Sequence, residues 1–275
     1  MTEDLTSPRV VGELLARHGH RPDKAFGQNF LVDRNALMAV VEAAEITREQ
    51  TVVEFGPGLG VLTRELAARA GRVVAVELDG RMLPVLEETL AGFDNVTVLH
   101  QDALEFDYGQ LPAGSSLVAN LPYNVATRLV MDGLESGRLG RIVAMVQREV
   151  AERMRASNGE DGFGAYSLLV RHFAGARIVR DVAPGCFLPP PEVTSSVVRL
   201  DVNPDAGPDP RLFRLIRQSF AHRRKTLRRN LMMAGYSGDT VLRAMESLQL
   251  DSRIRAEELT LERFRLLAAA LPRSG

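Results

Sequence analysis

The sequence predicts an α/β fold: a mainly parallel sheet covered by helices, finished at one edge by an antiparallel pair and followed by a small all-helical domain. Three observations carry this. Short β-branched runs alternate with segments of helical period from about residue 51 to 147. Two further strand-like runs then follow with no helix between them. Beyond a stretch crowded with Pro, Gly and Asp, only helical spacing remains.

Taken in order, residues 8–19 read as a helix, and Asp33 to Ala44 as a second with Asp33 as its N-cap. Between them lies the loop KAFGQNFL, 24–31. The parallel strands are TVVEF (51–55), RVVAVEL (72–78), NVTVL (95–99), SSLVAN (115–120) and RIVAMVQ (141–147). Apolar residues at helical spacing, such as Leu62, Leu66 and Ala70, or Met82, Leu83, Leu86 and Leu90, mark helices between them. Such βαβ alternation puts ligands beyond the carboxyl ends of the strands. ARIVRDV (176–182) and VTSSVVRLD (193–201) form the antiparallel edge and bring the sheet to seven strands. The stretch 202–210, VNPDAGPDP, has no period and reads as a linker to a helical domain over 211–275.

With 45% apolar residues in 275, the chain can bury a sizeable core. The first twenty residues lack an apolar h-region and no run of about 18 apolar residues occurs, so a cytoplasmic protein without a signal peptide or membrane span is expected. Cys186 is the only cysteine, which excludes an intrachain disulfide, and His18, His20, His100, His172 and His222 are scattered; no metal is expected. The net charge of −1 hides an asymmetry. Residues 1–200 hold 20 basic against 26 acidic side chains, and 201–275 hold 14 against 9. A basic tail on an acidic body is suited to meeting a polyanion.

The first parallel strand runs into Glu54-Phe-Gly-Pro-Gly-Leu-Gly60 and then a helix. Glycines at 56, 58 and 60 let the backbone pass close to a ligand and aim helix N–H groups at it. Taken alone, such a turn is equally a tight connection. Its position adds meaning: Glu77 closes the second strand, where a carboxylate accepts both hydroxyls of a ribose. Asp102 closes the third, where a carboxylate can receive an adenine amino group.

The succession EFGPGLG, VELD, QDA and NLPY resembles a class I S-adenosylmethionine-dependent methyltransferase, with its Rossmann-like sheet. Three further stretches, FGQNFL (26–31), NLPYN (120–124) and FLPPPEVTS (187–195), resemble the ribosomal RNA adenine N6-dimethyltransferase family. The helical tail and the FGQNFL form are most similar to that family's bacterial small-subunit members, which dimethylate two adjacent adenosines in the 3′-terminal hairpin loop of 16S rRNA. The resemblance implies a methyltransferase domain over 33–201, preceded by a helix and cofactor-lid loop over 1–32 and followed by an RNA-binding domain over 211–275. It implies S-adenosyl-L-methionine as cofactor, with contacts at Gln28, Asn29, Leu31, Gly56, Gly58, Glu77, Leu78, Asp102, Ala103 and Asn120. The implied partner is 16S rRNA within an immature small ribosomal subunit, met by a monomer.

The catalytic stretch Asn120-Leu121-Pro122-Tyr123 holds no acid, base or charged nucleophile. A sulfonium methyl needs none, because it is already activated. The target adenine N6 must be held in line with the carbon–sulfur bond, which is work of proximity and orientation. The Asn120 side-chain oxygen and the Leu121 or Pro122 carbonyl can accept the two N6 hydrogens and stabilise the positive charge developing there. Pro122 stiffens the turn. Tyr123 and Phe187 supply faces for stacking, worth roughly 1–3 kcal/mol per base, which offsets the few kcal/mol needed to extract the base.

Residues 211–229 carry Arg211, Arg214, Arg217, Arg223, Arg224, Lys225, Arg228 and Arg229 with no acid among them. On a helix, 224 with 228 and 225 with 229 stack into one basic face for phosphate contact. Arg148, Arg153 and Arg155 form a second patch after the fifth strand, placed to line the same cleft. Two other readings compete: a 23S rRNA enzyme of the antibiotic-resistance type, and a non-catalytic ribosome-assembly or transcription factor of the same fold. DNA-adenine and protein-glutamine methyltransferases would more naturally show DPPY or NPPY.

Overall fold

In the computed structural model, residues 3–22 and 28–272 are described. Helix α1 (Pro8–Arg17) starts at a proline in the first turn and buries Val11, Leu14 and Leu15. Strand β1 (Phe30–Leu31) leads into α2 (Arg34–Ala44), whose first turn is capped as expected: the Asp33 side chain accepts from the Ala36 N–H at 2.7 Å. The repeating unit then begins, with β2 (Thr51–Phe55), α3 (Val61–Ala67), β3 (Arg72–Glu77), α4 (Leu83–Leu90), β4 (Val96–His100), β5 (Ser115–Asn120), α5 (Ala126–Glu135) and β6 (Leu139–Gln147). α6 (Arg148–Arg155) and α7 (Ala165–Phe173) follow, then β7 (Ala174–Val182), β8 (Phe187–Leu188) and β9 (Ser195–Val202).

The large sheet has seven strands in the order β4-β3-β2-β5-β6-β9-β7. The first five are parallel, and β9 pairs antiparallel with both β6 and β7. Both faces of its centre are covered, so β2, β3 and β5 are almost wholly buried, with apolar residues in succession at their centres. β4, at the edge, is half-exposed. A separate two-stranded pair, β1 with β8, sets Leu31 opposite Phe187.

Two arginines lock α2 to the sheet. Arg199 on β9 donates to the Ala43 carbonyl at 3.0 Å and Arg141 on β6 to the Ala44 carbonyl at 2.7 Å, satisfying the last acceptors of the helix. Arg199 also pairs with Glu45 at 2.6 Å and with Asp201 at 2.8 Å.

The chain divides into two compact units, one of residues up to 151 with 174–205, the other of 152–173 with 206 onward. The second unit adds α8 (Pro210–Ser219), α9 (Leu227–Met233), α10 (Gly238–Ser247) and α11 (Leu261–Ala270). Their N-caps are Asp209, Thr226, Ser237 and Thr260, each accepting a backbone N–H in the first turn. Edge-to-face contacts among His172, Phe173 and Phe213 tie α7 to α8. The sequence reading drew the boundary in the linker alone. Residues 152–173, inserted between two strands, pack instead with the C-terminal helices. Among the described residues no helix is long and apolar enough to cross a membrane, and no His, Cys, Asp and Glu group could hold a metal.

Candidate active site

A cavity of about 350 Å³ opens where β2, β3 and β5 end, within the first unit. The turn after β2 lines it with Gly56 and Gly58, at φ +70° and +56°. Those angles are in the left-handed region, which only glycine enters without strain. A Cβ on Gly58 would also stand 3.2 Å from the Phe30 ring, so the turn and the N-terminal segment meet closely enough that a side chain there would press on the ring. Gln28, Asn29 and Leu31 of that segment line the cavity; Lys24 to Gly27 of the expected lid loop lie outside the described residues.

Glu77 ends β3 and is buried, 7% exposed as a residue. One oxygen accepts the Asp79 N–H at 2.9 Å and the other the Gly58 N–H at 3.2 Å, so the carboxylate is held in one orientation. Burial pushes its pKa up against those hydrogen bonds. Asp79 is tied onward: the Gln28 amide donates to it at 2.9 Å, and Gln28 in turn contacts the His20 ring at 3.1 Å. Asp102 lines the same cavity and accepts the Leu104 N–H at 2.9 Å, with Leu78, Ala103 and Leu104 beside it.

Asn120, Leu121, Pro122 and Tyr123 all line the cavity. The Asn120 side-chain N–H₂ donates to the Asn29 carbonyl at 3.3 Å, which engages the donor end of the amide and leaves its oxygen as the acceptor for an incoming N–H. The Pro122 carbonyl already receives two donors, the N–H groups of Val125 at 3.2 Å and Ala126 at 3.0 Å. Of the two carbonyls the sequence left open, Leu121 is therefore the one not consumed by the start of α5. The Tyr123 hydroxyl lies 2.7 Å from the Ser195 hydroxyl, and partial burial raises its pKa.

Residues 19–271 match the family model described as ribosomal RNA adenine dimethylase. The chain belongs to this family. It is 46% identical over 97% of its length to the ribosomal RNA small subunit methyltransferase A of Deinococcus radiodurans, covering 91% of that protein. Among solved structures it is similar to a dimethyladenosine transferase from Plasmodium falciparum, with a TM-score of 0.76, 26% identity and coverage of 86% of this chain and 95% of that one. It is also similar to the 23S rRNA methyltransferase ErmE, with a TM-score of 0.70, 25% identity and coverage of 88% and 99%. The mainly parallel seven-stranded sheet with its antiparallel edge is thus the class I methyltransferase fold expected from the motifs.

Against that background, three features of this adenine dimethylase family member differ from the sequence reading. Phe187 offers no face to the cavity; it is 3% exposed and packs in the core with Leu31, Val182 and Val197, because the pairing of β8 with β1 turns it inward. The basic run is not one helix. α8 ends at Ser219 and α9 begins only at Leu227, so Arg223, Arg224 and Lys225 lie exposed in the intervening turn and do not stack on Arg228 and Arg229. Asn230 shapes that turn, donating to the Ser219 carbonyl at 2.7 Å and accepting the His222 N–H at 3.2 Å. Arg228 is also partly buried, its Nε shielded from solvent.

The second patch is engaged rather than free. Arg148 stands 3.5 Å from Asp181, and the Arg153 guanidinium lies 5.7 Å above the Tyr166 ring.

One lining residue was visible in the glycine motif but given no role. Glu54 is 2% exposed, its Oε2 is buried without a hydrogen-bond partner, and burial, with Glu77 adding to it, pushes its pKa to about 8. The signal was an acid one residue before the end of a buried strand, where charge is costly unless a ligand meets it.

Proposed function

We propose that this rRNA adenine dimethyltransferase transfers methyl groups from S-adenosyl-L-methionine to N6 of two adjacent adenosines in the 3′-terminal hairpin loop of 16S rRNA. The substrate is the RNA within an immature small ribosomal subunit, the enzyme acts as a monomer, and the compartment is the cytoplasm. The observation that carries the reading is a single cavity lined by Glu77 and Asp102 together with Asn120 to Tyr123. The 46% identity to a small-subunit methyltransferase, against 25% to a 23S rRNA methyltransferase, favours the 16S substrate.

The residues present fit the cofactor. Glu77 suits the ribose hydroxyls, Asp102 the adenine amino group, and the buried, unpartnered Glu54 oxygen an ammonium group. Gly56, Gly58, Leu78, Ala103, Gln28, Asn29 and Leu31 complete the contact surface. When bound, S-adenosylmethionine supplies a methyl group already activated on sulfur. The protein's part is to grip the target base. The Asn120 oxygen and the Leu121 carbonyl accept the two N6 hydrogens and stabilise the charge that develops on nitrogen, and Tyr123 supports the ring. The N6 proton passes to solvent after transfer. RNA phosphates are met by Arg223, Arg224, Lys225 and Arg229, with Arg148, Arg153 and Arg228 in supporting positions.

Incubation with labelled S-adenosylmethionine and naked 16S rRNA, immature small subunits or 23S rRNA, followed by mapping of N6-methyladenosines, tests the assignment. Label at two adjacent adenosines of the 16S hairpin loop is expected; label on 23S alone, or none on any substrate, overturns it. Asn120→Ala is expected to abolish transfer while leaving cofactor binding partly intact, since the base acceptor is lost and Glu77 remains.

A further inference from the structure

The hydroxyls of Tyr123 and Ser195 lie 2.7 Å apart across 72 residues of sequence. Ser195 is fully buried as the first residue of β9. It stands opposite Gln147 at the carboxyl end of β6 and opposite Val182 at the end of β7. An antiparallel strand begins where its parallel neighbours end, which is how a residue of β9 reaches the turn after β5. Ser195 itself does not line the cavity, while Tyr123 does. Its reach to the cavity runs through the phenol.

Stacking holds a base against a ring but only weakly resists sliding across it. Methyl transfer is far less tolerant, since displacement of about 1 Å can cost a hundredfold in rate. A ring anchored at Cβ alone can swing at its far end; a ring tethered also at its hydroxyl has the direction of its long axis restrained. We propose that Ser195 is a positioning residue, holding the far end of the Tyr123 ring in place through their hydroxyl contact and so governing whether the base is held in line for both transfers. This rests on the reading of Tyr123 as the stacking face. The second transfer depends on it more than the first. After one methyl is added, one N6 hydrogen and its acceptor contact are gone, and the ring carries a larger share of the alignment.

The test uses the full chain with S-adenosylmethionine and immature small subunits, and compares Ser195→Ala, Tyr123→Phe, their combination and Tyr123→Ala. Ser195→Ala and Tyr123→Phe are each expected to lower kcat for the first transfer about fivefold to tenfold, the scale of one lost hydrogen bond. Each should lower the second transfer further, so that monomethyladenosine accumulates. Cofactor Kd should be unchanged, and the double variant no slower than the slower single one, because both remove the same contact. Wild-type rates and product ratio in either single variant, or a double variant whose loss is the product of the two, overturn the proposal. If Ser195→Ala fails to fold, Tyr123→Phe alone decides, since it removes one oxygen from a half-buried ring. Tyr123→Ala separates the two readings: full activity there refutes the stacking role itself, whereas its inactivity beside a normal Ser195→Ala refutes only the positioning role.

Discussion

Glu54 and Glu77 are two carboxylates at the ends of adjacent strands, and their environments differ. Glu77 accepts two backbone N–H groups, whereas Glu54 has lost water without gaining a donor to its Oε2. A carboxyl group with a folded-state value near 8 and an ordinary unfolded value keeps its proton in the folded chain while the unfolded chain releases it. The stability it contributes is whole below the unfolded value near 4.5 and is lost as pH rises toward 8. Glu54→Gln should therefore match the parent in acid and exceed it at pH 8 without cofactor, by an amount on the order of a few kcal/mol. Thermal melts across that range check it; a difference that does not grow with pH contradicts the buried proton. At this scale the sequence was informative where chemistry and position coincide, as at Glu77 and Asp102. It was silent on which carbonyl of Leu121 and Pro122 is open, because that depends on where α5 begins and takes its first acceptor.

At the level of elements, the turn between β2 and α3 and the lock at the end of α2 make the firmest predictions. Gly58→Ala would place a methyl 3.2 Å from Phe30 in a left-handed conformation. It should destabilise the chain by about 1–2 kcal/mol and weaken cofactor binding, measured by denaturant melts and calorimetry. Arg199→Ala removes the donor to the Ala43 carbonyl and the partner of Glu45 and Asp201, and should lower the melting temperature by about 2–5 °C. The hydrogen bond from Arg199 holds Glu45 below its ordinary range, and the arginines do the same for Asp201 against the opposing effect of burial. That contribution is present above the unfolded carboxylate range and fades as pH falls through the folded values, so the variant and parent should converge in acid. Elements were legible wherever period and burial agree: the five parallel strands lie within a residue or two of their expected bounds. The pairing of β1 with β8 was not, since two strands of two residues carry no period.

For the molecule as a whole, the basic tail resolves into a turn and a helix rather than a continuous face. Arg223, Arg224 and Lys225 are exposed, while Arg228 is partly buried. Replacing the three turn residues by Ala should weaken RNA binding and reduce the slope of log K against log salt by about two to three. Binding titrations at several salt concentrations measure it, and an unchanged slope removes the turn from the RNA interface. Helices from 152 to 173 join the C-terminal unit although strands flank them in sequence, and the inserted segment had no composition break to announce it.

The sequence by itself determined the sheet, the order of the motifs along it, and the family, because buried strands and strand-end motifs are local patterns of a few residues. Only the tertiary structure decided the inward burial of Phe187, the break in the basic run at Thr226, and the meeting of Tyr123 with Ser195. These depend on strand order and on caps chosen in competition with neighbouring residues. A run of basic residues reads as one face until Thr226 accepts the Arg229 N–H and starts a new helix. The stretch NLPY looks like an active site from its own residues, but the serine that tethers its phenol enters from an antiparallel strand, at a distance in sequence no local pattern spans.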